Sequence, residues 1–82
     1  MTFDFAPWHG AIDLVLVDGA HDFEHGVADS RTAMALARPG GWIFWDDFEP
    51  YWHGLVKGIV SAVGAQQLTK IERTSLAFTR AA

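Results

Sequence analysis

Two short apolar runs, each stopped abruptly by acidic residues, constrain this chain of 82 residues more than any other feature. The first is Ile12-Asp13-Leu14-Val15-Leu16-Val17, which runs into Asp18-Gly19-Ala20-His21. The second is Trp42-Ile43-Phe44-Trp45, which runs into Asp46-Asp47. Runs that are apolar on consecutive positions suit strands buried on both faces of a parallel sheet. Between them, a helix is predicted from Asp22 or Glu24 to about Ala37, with Val27, Ser30, Ala33, Met34 and Ala37 on one face. Two parallel strands joined by a helix place Asp18, His21, Asp46 and Asp47 along the carboxyl edge of the sheet, where ligands bind in open α/β folds.

The remaining segments complete a small α/β unit of one domain, residues 1–82. Met1–Gly10 mixes aromatics with Pro and Gly and predicts a lead-in loop packed on its rings. Pro39-Gly40-Gly41 predicts the end of the helix and a turn into the second strand. Pro50 suits the first turn of a second helix, with Leu55, Val56, Ile59, Val60 and Val63 as its buried stripe and Gly64 as its stop. Gln67–Ile71 and Ser75–Arg80 predict two short strands paired as an antiparallel hairpin across Glu72-Arg73-Thr74. The expected fold is therefore four strands, two parallel and two in the hairpin, with two main helices.

Composition narrows the function classes. The net charge is −4 with only six basic residues, which argues against a nucleic-acid surface. No apolar stretch approaches the ~20 residues of a membrane helix, and a basic segment followed by an apolar one is lacking at the N-terminus, so a cytoplasmic location is expected. The absence of cysteine excludes a disulfide framework. Half the residues are hydrophobic and four are tryptophan, a core supply suited to the inside of a larger domain.

Neighbouring parallel strands lie about 4.8 Å apart, so carboxylates at their matching ends converge. Asp18, Asp46 and Asp47 form a candidate set of hard oxygen ligands of the kind Mg²⁺ accepts. The competing reading makes them helix caps, Asp18 for the helix after the first strand and Asp46 or Asp47 for the one after the second. His21 is a candidate general base, because imidazole titrates near neutrality. His21-Asp22-Phe23-Glu24-His25 also fits the H-x-x-E-H zinc pattern, but it starts in a loop directly after a strand rather than inside a long helix. The tryptophans are assigned mainly to the core, with Trp45 and Trp52 as an alternative wall of an aromatic pocket. His9, His25 and His53 are expected at the surface or at an interface.

The runs IDLVLVDGAHDFEHGVAD and ARPGGWIFWDDF, and more weakly TSLAFTR, resemble the second half of a class I S-adenosylmethionine-dependent methyltransferase of the small-molecule O-methyltransferase group. The resemblance spans about Ile12 to Arg80. It implies a Rossmann-like partial fold with Ser75–Arg80 between Trp42–Trp45 and Gln67–Ile71. It also implies S-adenosylmethionine as methyl donor, a small-molecule hydroxyl as acceptor, Asp18, Asp46 and Asp47 around a divalent ion, and His21 as base. The glycine-rich loop that holds the donor in that group has no counterpart in this sequence, so no residue is assigned to cofactor binding and the chain is expected to be inactive alone. In that group the strand matching Ile12–Val17 is interior, so its outer edge here is expected to be covered in a homodimer or by a complementing chain. The alternative reading is a non-catalytic, self-associating α/β module that keeps the acidic cluster as a relic.

Overall fold

The computed structural model describes residues 6–19 and 21–81. A single 3-10 turn at Ala6–Trp8 leads into strand β1 (Ile12–Val17), helix α1 (Phe23–Leu36), strand β2 (Ala37–Trp45) and helix α2 (His53–Val63). A second 3-10 turn at Ala65–Gln67 precedes the short strands β3 (Thr69–Lys70) and β4 (Ala77–Arg80). The sheet order is β1-β2-β4-β3, with β1 parallel to β2 and β4 antiparallel to both of its neighbours. This is the expected partial Rossmann-like α/β architecture, with the last strand inserted between the second and third. The reading of Met1–Gly10 as a lead-in loop lies partly outside the described residues.

Alternation along the strands shows where the core sits. Ile43 and Trp45 of β2 and Ala77 and Thr79 of β4 are buried, and Val15 and Val17 of β1 pack beside them. Ala33 of α1 and Leu55 and Ile59 of α2 close the same cluster, so both helices lie on one face of the sheet. Within this core the Trp45 indole N–H donates to the Ser30 hydroxyl at 2.9 Å, and both residues are fully buried. That bond satisfies the two polar groups together and ties α1 to β2. Trp45 is therefore a core residue and not part of a pocket wall.

The opposite face carries Leu14 and Leu16, which are 56% and 59% exposed, and Trp42. Trp42, Phe44 and Phe78 cluster there, with ring centroids 5.6–6.3 Å apart, and the Arg80 guanidinium lies 4.4 Å over the Trp42 ring. The expectation that β1 is buried on both faces fails for this reason: no helix of the described residues covers this side. Likewise Trp8 and Trp42 are exposed, so only part of the tryptophan complement is core.

A second correction concerns Pro39-Gly40-Gly41, which lies inside β2 and not in a turn before it. The register jumps from Ile12↔Ala37 to Leu14↔Trp42, so Arg38–Gly41 bulges out opposite Asp13. Gly40 adopts φ +80, and a Cβ on Gly41 would sit 2.9 Å from the Arg38 carbonyl oxygen and 3.0 Å from that of Asp13. The glycines thus serve a bulge. The helix ends instead through backbone contacts, because Gly10 and Ala11 N–H groups donate to the Ala35 and Leu36 carbonyls.

Candidate active site

The carboxylates meet because the strand register brings them together. Val17 pairs with Trp45, so Asp18 and Asp46 are the first residues beyond two matched strand ends. The Asp46 N–H extends the ladder by one rung, donating to the Val17 carbonyl at 3.0 Å. Asp47 then turns through φ 58, a left-handed conformation uncommon for a residue with a side chain. One oxygen from each of Asp18, Asp46 and Asp47 lies within 4.8 Å of the others. Among the described residues this is a group that could hold a cation, and hard oxygen donors are the kind a magnesium-like ion accepts.

Capping does not account for these carboxylates. Helix α1 is capped by Asp22, whose side chain accepts the His25 N–H, and α2 starts at Trp52 with no side-chain cap bond. Asp46 accepts instead from the Ser75 hydroxyl at 2.5 Å and from the Asp47 N–H at 2.8 Å, both on Oδ1. The Ser75 bond first, then the Asp47 amide, hold the Asp46 carboxyl below its ordinary value of 3.8, against a smaller opposing effect of burial. Asp46 is therefore ionised at neutral pH. Ser75 is placed by the antiparallel pairing of Trp45 with Ala77, which sets the residues before β4 across from Asp46-Asp47.

His21 sits at the same edge. Its Nε2–H donates to Asp47 Oδ2 at 2.6 Å, and its ring stacks on Trp52 with centroids 3.8 Å apart and planes 14° from parallel. The two loops reach each other because α1 and α2 cross on glycines, Gly26 in the first turn of α1 and Gly58 midway along α2. A Cβ on Gly58 would lie 2.5 Å from the Phe23 carbonyl oxygen, and one on Gly26 would lie 3.0 Å from that of Leu55. Close backbone approach there brings the residues just ahead of each helix into contact.

A cavity of about 550 Å³ abuts the loop that follows Asp47, lined by Phe48, Glu49, Pro50, His53, Val56, Lys57 and Lys70. Apolar walls with a few charged groups at the rim are the usual make-up of a small-molecule site.

A family profile describing a methyltransferase domain matches residues 1–48, which includes β1, α1, β2 and all three aspartates. The chain belongs to this methyltransferase-domain family. No curated protein matches it. At family level, membership implies S-adenosylmethionine as the methyl donor. The Gly-Ala-His and Asp-Asp segments fall inside the matched part, whereas Ser75, Trp52 and all of the cavity lining except Phe48 lie beyond it.

Of the residues singled out in the sequence, Asp18, Asp46 and Asp47 come together, and His21 joins them through Asp47. His21 and His25 do not share a metal group: His25 faces Asp22, with Nδ1 2.8 Å from its carboxylate, while His21 faces Asp47. His9, His25 and His53 are exposed as expected. Sequence reasoning missed Ser75, although the predicted hairpin register contained it. It also missed the His21–Trp52 stack, for which no local signal exists.

Proposed function

We propose that this chain forms the acceptor side of a class I methyltransferase that methylates a small-molecule hydroxyl. The observation that carries the reading is the convergence of the three aspartates beside a histidine already hydrogen-bonded to one of them. The methyl donor supplies an electrophilic methyl group on sulfur. The acceptor hydroxyl oxygen would take up that methyl group, the departing sulfur keeping the electron pair of the C–S bond, and His21 would take the hydroxyl proton. Asp18, Asp46 and Asp47 would hold a divalent cation, which lowers the pKa of a bound hydroxyl. Asp46 and Asp47 each have one oxygen engaged by protein donors, leaving the other for the ion. The cavity bounded by Phe48, Pro50 and Val56 would receive the body of the acceptor. None of the chain's residues is assigned to the donor.

Clustered carboxylates repel one another without a cation, so millimolar Mg²⁺ should raise Tm, and Asp46→Asn should abolish the rise. An unchanged Tm would remove the metal from the reading. Calorimetric titration with S-adenosylmethionine tests the donor side: saturable micromolar binding supports activity of the chain itself, and no heat supports the relic reading.

The open edge of β1 favours a second reading, a non-catalytic, self-associating module that keeps the acidic cluster as a relic. We infer that a second copy pairs with β1 antiparallel about Val15, setting Leu14 opposite Leu16 of the other copy on the exposed apolar face. No described residue pairs with that edge, and the strand lacks the lysine or proline that blunts free edges. Sedimentation should show a dimer at tens of micromolar, and Leu16→Lys should shift it to monomer. A wild-type monomer would sink the pairing.

A further inference from the structure

His21 is held from two directions, and neither contact serves the helix or the core that surrounds it. Trp52 occupies the N-cap position of α2, where Ser, Thr, Asp or Asn would satisfy a free amide and Trp does not. It uses that position to lie flat against the imidazole at 3.8 Å. Tyr51 meets the Trp52 ring edge-on, with centroids 4.9 Å apart and planes at 86°, so the indole is itself braced, and the Trp52 backbone N–H donates to the Glu49 carbonyl at 2.9 Å, which fixes the main chain that carries it. Asp47 reaches Nε2 from a left-handed backbone conformation. Sparsely populated backbone states persist where the surroundings over-determine them, often at functional sites.

We propose that Trp52 and Asp47 are positioning residues for His21. The stack fixes the plane of the ring, and the carboxylate engages Nε2–H, so that Nδ1 is the nitrogen presented to the acceptor. Nδ1 has no partner among the described residues, and with Nε2 protonated it carries the lone pair a general base needs. Asp47 thereby belongs to the base through one oxygen as well as to the carboxylate cluster through the other. The proposal rests on the reading of His21 as base, but its geometry can be tested without methyl donor or metal.

The test is proton and nitrogen NMR of the His21 ring in this chain at a fixed pH of about 8, where a free imidazole is neutral. The expected spectrum has ring C–H resonances shifted upfield by the indole face and a slowly exchanging Nε2–H. Trp52→Leu should return the ring protons to ordinary positions, while Trp52→Phe, which keeps an aromatic face, should retain part of the shift. Asp47→Ala should lose the slow Nε2–H, and Asp47→Glu should recover it. Far-UV circular dichroism on each variant separates loss of the contact from loss of the fold. Unshifted ring protons in the folded wild-type chain, or a rapidly exchanging Nε2–H, overturn the proposal whatever the activity. A shifted, slowly exchanging ring together with methyl transfer that survives His21→Gln overturns instead the base reading on which it rests.

Discussion

The two helices start at the same edge of the sheet, and they start in opposite ways. Helix α1 opens on Asp22, whose carboxylate accepts the His25 N–H at 2.8 Å while the His25 ring closes back on it. Helix α2 opens on Trp52, without a side-chain cap bond, and its N-cap ring is stacked on His21. The first start satisfies a free amide with a local side chain and so stabilises its own helix. The second gives up that local stabilisation and contributes to the site. Two helix starts at the same edge can thus be told apart, one closed by its own side-chain cap and one whose N-cap ring is used in a contact with His21.

The glycine crossing that joins these starts is the most sensitive place to break the comparison. Gly58→Ala puts a Cβ 2.5 Å from the Phe23 carbonyl oxygen, backbone that cannot swing aside. Overpacking of this kind costs about 1–3 kcal/mol. Denaturant unfolding should show that loss, and the His21 ring protons should move toward ordinary positions as the two loops separate. A Gly58→Ala chain with wild-type stability and an unchanged ring spectrum would mean that the crossing does not set the site.

Removing the cap sharpens the comparison with a smaller effect. Asp22→Ala should lower Tm by less than Gly58→Ala while leaving the His21–Trp52 stack in place. If the stack disappears with the cap, the two helix starts are a single unit and the division drawn between them fails.

The smallest expected effect is in pH. The His25 side chain and backbone hold the Asp22 carboxyl below 3.8, chiefly through the amide bond, and the Asp22 hydrogen bond holds His25 above 6.5. The lowered carboxyl contributes stability above pH 3.8 that fades as pH falls through its folded value. The raised imidazole contributes stability below pH 6.5 that fades as pH rises through its folded value. The Tm difference between wild type and His25→Gln should therefore be greatest between those two values and shrink on both sides. A difference that is flat with pH would remove the ionic part of the pair, leaving the neutral cap.

Much of this architecture follows from local sequence. Consecutive apolar residues in Ile12–Val17 and Trp42–Trp45, with a helical segment between them, are enough for two parallel strands, because a crossover of that length permits no hairpin. The same pattern locates Asp18, Asp46 and Asp47 at one edge, since a strand's end is where its apolar run stops. Gly64, at φ +97, ends α2 as its sequence position indicates. Tertiary structure alone decided the rest. Pro39-Gly40-Gly41 carries the composition of a turn, yet the strand bulges through it because β1 and β4 hydrogen-bond on either side. Leu14 and Leu16 look like core in sequence and are exposed, because burial depends on what lies across the sheet and not on the strand's own hydropathy. His21 and Trp52 are far apart along the chain, and their stack exists only because two helices approach at glycines. Short-range patterns report backbone preference and facing, whereas a contact between distant residues is set by how closely whole elements can pack.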